Sequence, residues 1–138
     1  MNKIIITFIK KNKITLLTFL TVGALSAGVY FLSFSICWKL LRLSYPYAIS
    51  IAYVLSVLFH FTANRNITFK SYGTNILPQT LKYLTMVIMN YGITLLIVNI
   101  AVEILHLSPY IGIVCAIGAT VGSGYLMSRL WVFPVRMH

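Results

Sequence analysis

Two short segments hold the residues of this chain best suited to chemistry. The first, Phe61-Thr62-Ala63-Asn64-Arg65-Asn66-Ile67-Thr68-Phe69, lies where a long apolar run gives way to polar residues. The second, Tyr125-Leu126-Met127-Ser128-Arg129-Leu130-Trp131-Val132-Phe133, lies 64 residues further on. Each holds one arginine with an aromatic ring four residues to either side. A guanidinium is planar, stays charged and offers a fork of donors that matches phosphate oxygens. Asn64 brings an amide donor beside Arg65, Ser128 occupies the same place beside Arg129, and Lys70 follows the first segment. Phe61, Phe69 and Trp131 can stack on a ring or hold an arginine in place. The chemistry on offer is capture of an anionic group.

Composition says where this capture would occur. The chain is 59% hydrophobic, 9% charged and has a mean hydropathy of +0.91. A soluble domain has about 25% charged residues, so this chain cannot build a normal wet surface. It reads as an integral membrane protein. Eleven Lys and Arg face a single acid, Glu103, for a net charge of +10. The basic residues sit at the ends of apolar runs rather than along one polar face. They mark topology and do not suggest a nucleic-acid partner.

The same counts exclude other functions. One carboxylate cannot provide paired-acid hydrolysis or a magnesium site of the usual kind. No Ser-His-Asp set and no Gly-rich phosphate loop is present, so no catalytic residue is assigned and no enzyme is expected. Cys37 and Cys115 lie in apolar runs without zinc or redox spacing. His60, His106 and His138 are scattered, and no metal or cofactor is expected.

The elements that must position the two segments follow from hydropathy. Residues 1–13 mix Ile4, Ile5, Ile6, Phe8 and Ile9 with four lysines and read as a cytoplasmic interfacial segment drawn to anionic lipid. Four spans follow, at Ile14–Trp38, about Tyr47–Asn64, about Leu81–Val102 and about Tyr110–Met127. About 20 apolar residues cross the hydrocarbon. The third span carries Asn90 and Asn99. Pro46 and Pro109 suit helix starts. Lys70 to Gln79 reads as the one real loop. Gly23 to Gly28 and the GxxxG of Gly118 and Gly122 read as close-packing faces. The small faces leave two architectures open, a homo-oligomer sharing one path or a groove open to lipid.

Nine basic residues fall on one side: Lys3, Lys10, Lys11, Lys13, Arg65, Lys70, Lys82, Arg129 and Arg136. Only Lys39 and Arg42 fall on the other. The positive-inside rule therefore places both termini, the loop and the two arginines on the cytoplasmic side.

The 64-residue offset extends beyond the segments. Leu20-Thr21, Gly28, Ser44, Arg65 and Phe69 match Leu84-Thr85, Gly92, Ser108, Arg129 and Phe133 without a gap. Each half has an even number of spans, so both insert the same way up. The expected fold is all-α, an integral membrane protein of four transmembrane helices arranged as two parallel-repeat helical hairpins. Its N and C termini are cytoplasmic. The four-helix domain spans 14–134, with repeat halves at about 14–69 and 80–133. A pseudo-two-fold axis along the membrane normal would present the two arginines symmetrically.

Phe19-Leu20-Thr21-Val22-Gly23 in the first span, Phe61-x-x-Asn64-Arg65-x-x-Thr68-Phe69, and Arg129-Leu130-Trp131-Val132-Phe133 together resemble the GtrA-like family over about residues 16–134. Family members often have an aromatic where this chain has Ile67, and Asn where it has Ser128. The resemblance implies a flippase that moves a polyprenyl-phosphate-linked sugar across the bacterial inner membrane for cell-surface polysaccharide modification. It also implies as partners that sugar lipid and a membrane glycosyltransferase, which the chain could serve as a scaffold. Arg65 and Arg129 would collect the phosphate, and Asn64, Ser128, Phe61, Phe69, Trp131, Lys70 and Asn90 would line the head-group path. Each role has a plainer rival. The arginines can anchor to lipid phosphates, Phe69, Trp131 and Phe133 can form an interfacial belt, and Asn90 and Asn99 can join helices.

Overall fold

The computed structural model describes residues 2–71 and 73–134. Arg136, counted above among the cytoplasmic charges, lies outside them. Four helices are present: α1 (Asn2–Ser35), α2 (Tyr45–Ala63), α3 (Ile76–Asn99) and α4 (Pro109–Met127). With the turns that extend them, all four are long and apolar enough to cross a bilayer. Their outward faces carry large apolar side chains, among them Leu17, Phe31, Ile88 and Val114. Water would penalise such a surface, whereas lipid is an equally apolar neighbour.

Two boundaries differ from the sequence reading. No break separates residues 1–13 from the first span, since α1 is one helix of 34 residues. Nothing between Asn2 and Val22 is a Gly or Pro, so no residue interrupts it. α3 starts at Ile76, earlier than the expected Leu81, and takes in Pro78 and Gln79. Pro78 is the third residue of that helix, where the amide it lacks would have had no intrahelical acceptor.

Each helix runs on into a widened turn, at Ile36–Leu40, Asn64–Thr68, Ile100–Ile104 and Ser128–Val132. In each, an N–H reaches the carbonyl five residues back: Leu41 to Ile36, Phe69 to Asn64, Leu105 to Ile100, and Phe133 to Ser128. Arg42, Lys70 and His106 leave three of these turns with φ of 53°, 49° and 51°. Helix ends usually give this left-handed position to glycine. The helix α2, both turns of the first half and the left-handed Arg42 recur 64 residues on, as α4, the later two turns and His106.

The chain forms two compact units, residues 1–70 and 71–138. In the first, α1 packs along α2, whose Ala48 and Ala52 are wholly buried. Ser56 Oγ donates to the Ser26 carbonyl at 2.8 Å, while Phe19 reaches His60 and Phe69. In the second, contacts fall along α3 as they rise along the last helix and its turn. Val98 meets Gly112, Asn90 meets Ser123, Met86 meets Ser128 and Lys82 meets Trp131. That is an antiparallel pair. A Cβ added at Gly112 would lie 3.1 Å from Ala101 Cβ and 3.2 Å from Val98 Cα. The close approach is therefore at Gly112 and not at the expected GxxxG. A Cβ on Gly118 or Gly122 would meet nothing within 4 Å, and the same holds for Gly23 and Gly28.

The loop is also built into the second unit. Gln79 Nε2 donates to Ser71 Oγ at 2.5 Å and Thr74 Oγ1 at 2.6 Å, and the Thr74 hydroxyl donates to the Ser71 carbonyl. Ser71 and Gln79 are both buried, so the first turn of α3 fixes the loop that precedes it.

Candidate functional site

The turn Asn64–Thr68 closes α2. The Asn64 amide bonds to the His60 and Phe61 carbonyls, as a regular helix would. The next turn then widens until the Phe69 N–H takes the Asn64 carbonyl at 2.9 Å. Lys70, at positive φ, turns the chain away and is exposed. Widened turns of this kind are frequent at functional sites.

Burial in this turn alternates sharply. Asn64, Thr68 and Phe69 are buried, Arg65 is half-buried, and Asn66 and Ile67 are exposed. Arg65 Nη1 approaches Asn66 Oδ1 at 3.4 Å. The Asn64 amide nitrogen lies 3.1 Å from His60 Nε2. Phe19 from α1 meets the His60 ring edge-on at a centroid distance of 5.9 Å and lies 6.2 Å from Phe69. Phe61 is buried as well.

The second turn keeps the backbone and changes the chemistry. Ser128 is wholly buried, and its hydroxyl contacts Met86 Sδ at 3.4 Å. Val132 and Phe133 are wholly buried, Arg129 is half-buried and Trp131 is 39% exposed. Tyr83 and Tyr125 are core residues of the same unit. Lys82, on α3, donates to the Trp131 carbonyl at 3.2 Å and adds a second cation beside this turn.

Phe69 and Phe133 are buried core residues of their units rather than interfacial side chains, because the widened turn rolls them inward. Phe61 is likewise enclosed, and Trp131 alone of the four suits a boundary. Asn90 Oδ1 accepts a hydrogen bond from Ser123 at 2.9 Å, which fits the interhelical role. Asn99 is exposed. Among the described residues, no group of three or more metal-ligating side chains occurs.

Sequence reasoning placed none of Phe19, Met86 and Lys82 in the site: Phe19 entered only as part of the family motif and Lys82 only as a charge marking topology. Met86 is an apolar residue of an apolar span, with nothing in type or spacing to distinguish it.

The arginines sit at helix C-terminal ends, where the backbone dipole favours a cation and opposes an anion. An anion drawn there gains nothing from the helix end and depends on side-chain cations, Arg65 at the first turn and Arg129 with Lys82 beside it at the second. Each turn carries one half-buried, obligately charged guanidinium.

A family model described as GtrA/DPMS, transmembrane domain, matches residues 18–133. No curated protein matches the chain, and no solved structure does.

Proposed function

The chain belongs to the family described as GtrA/DPMS, transmembrane domain, and from that membership we propose that it flips a polyprenyl-phosphate-linked sugar across the bacterial inner membrane. The family supports a role in glycolipid biosynthesis at the membrane, as translocator or as scaffold. The flipped sugar would serve cell-surface polysaccharide modification. The observation that carries the reading is the recurrence of a half-buried arginine, Arg65 and Arg129, at the same position of the same widened turn in each unit.

A lipid-linked sugar brings its own anchor, so only the head group has to cross. An unpaired phosphate in hydrocarbon is prohibitively costly, on the order of tens of kcal/mol by Born estimates. A cation at the boundary lowers that barrier by pairing with the phosphate before it leaves water. The charge distribution supports cytoplasmic termini, which would put both arginines at the leaflet from which the sugar lipid is flipped. Anionic lipids would hold the basic N-terminal stretch of α1, and a second copy of the chain could complete a path that four helices alone leave narrow.

Purified protein in liposomes tests this. Labelled polyprenyl-phosphate sugar should change leaflet faster with the wild-type chain, and Arg65→Ala or Arg129→Ala should abolish the gain while insertion is unchanged. Undiminished transfer by the double variant would refute the reading.

A second reading, a non-transporting scaffold for a membrane glycosyltransferase, draws on one feature. The mid-span polar groups Ser26, Ser56, Asn90 and Ser123 are engaged in joining helices, which leaves them less able to line a path. Protein that never accelerates transfer in liposomes but co-purifies with such an enzyme would favour it.

A further inference from the structure

The two arginine-bearing turns share a backbone but not a polar interior. Asn64 is wholly buried, its Nδ2 faces His60, and its Oδ1 has no hydrogen-bond partner among the described residues. Thr68 is 8% exposed, and its Oγ1 also has none. Helical threonines elsewhere in the chain donate to the carbonyl four residues back, as Thr18, Thr21, Thr80 and Thr85 do. Thr68 does not.

At the matching places the second turn has Gly124, Ser128 and Val132. The Ser128 hydroxyl is engaged with Met86 sulfur, and Val132 has no polar atom to satisfy. A buried acceptor or hydroxyl without a partner destabilises a fold. Position 132 shows that valine fits such a turn and removes the problem. Within the two turns themselves, and among the described residues, the first therefore retains two such groups, at Asn64 and Thr68, and the Ser128–Val132 turn has none.

We propose that the Asn64–Thr68 turn alone recognises the sugar portion of the lipid head group, and that the Ser128–Val132 turn has no part in that recognition. This rests on the sugar-lipid reading above and divides the labour between the repeats. The chemistry selects a hydroxyl. The unpartnered Asn64 Oδ1 needs a donor, which an ionised phosphate cannot supply. A sugar hydroxyl can donate to Asn64 Oδ1 and accept from Thr68 Oγ1. Arg65, between them in sequence, takes the phosphate. Because Asn64 is fully enclosed, occupancy requires the α1 side to open. Phe19, packed on His60 and Phe69, is the α1 ring that has to move.

The test uses the full chain in nanodiscs and two probes, polyprenyl phosphate bearing one hexose and the same lipid without sugar. The wild type should bind the hexose lipid at least ten-fold more tightly. Thr68→Val should lose that preference with the sugar-free affinity unchanged and should melt at a higher temperature, and Asn64→Ser should lose the preference too. Val132→Thr should leave the preference intact. A wild type without preference, or a Thr68→Val chain that keeps it, would overturn the proposal. Selective binding without leaflet transfer would instead count against the flippase reading alone.

Discussion

Ser123 and Asn90 are joined across α4 and α3 by a 2.9 Å hydrogen bond from hydroxyl to side-chain carbonyl. It lies within both apolar spans, and the Ser123 hydroxyl also has a longer contact, 3.4 Å, to the Thr120 carbonyl. Interhelical bonds of this kind are worth about 0.6 kcal/mol on average and up to about 1.7. Asn90→Leu and Ser123→Ala should each destabilise the protein by about that much, and the double variant by little more than the worse single one. Unfolding titrations in mixed micelles would measure this. If Asn90 lined the head-group path instead, Asn90→Leu would abolish transfer while Ser123→Ala would not.

A second prediction concerns glycine. Gly112→Ala places its Cβ against Val98 backbone and Ala101, so α3 and α4 must separate, at a cost of about 1–3 kcal/mol. Gly118→Ala and Gly122→Ala meet open space and should gain up to about 1 kcal/mol from helix propensity. Melting temperatures of the three variants would decide. A loss at Gly118 or Gly122 comparable to that at Gly112 would point to a helix seated on that face.

These contrasts show what the sequence could and could not specify. Helix number and most ends were legible, because Pro46 and Pro109 open helices and because hydropathy falls at Asn64 and Met127. The start of α3 was not, since Gly73, Asn75 and Pro78 all read as turn residues, although proline is tolerated in a first helical turn. Gly112 was not singled out either. GxxxG spacing shows where helices could approach closely, whereas which glycine is used depends on the register of α3 against α4. The arginine turns were found by their repetition. The inward roll of Phe69 and Phe133 was not, because an aromatic at an apolar boundary suits core and head-group level equally until the turn's geometry is known.

Left-handed exits provide a third prediction. Arg42 and His106 hold φ near +50° at equivalent places after α1 and α3, a conformation that costs a non-glycine residue on the order of 1–2 kcal/mol. Arg42→Gly and His106→Gly should therefore not destabilise the helix ends, and should stabilise them by up to about 1 kcal/mol after the loss of glycine's entropy. Arg42→Val and His106→Val should destabilise them. Thermal melts of the four variants in one detergent would test the ordering.

The fourth prediction separates the two meanings of the arginines. A cation at a helix C-terminus contributes about 0.3–1 kcal/mol whichever side chain carries it. Anchoring to lipid phosphate likewise requires charge and length, which lysine supplies. Bidentate capture of a phosphate requires the planar fork. Arg65→Lys and Arg129→Lys should therefore fold and insert as the wild type does, yet transfer the sugar lipid at least ten-fold more slowly. Arg65→Ala and Arg129→Ala should lose transfer together with a small part of stability. Transfer at wild-type rate in both lysine variants would reduce the arginines to anchors, and the head group would then have to be held by other residues. The two lysine variants need not be equally impaired. Lys82 stands beside the Trp131 carbonyl of the second turn, and the matching place in the first unit is Thr18. A neighbouring ammonium can share a phosphate that a lysine at 129 holds less well, so Arg129→Lys should be the milder change, and Lys82→Met should remove that difference.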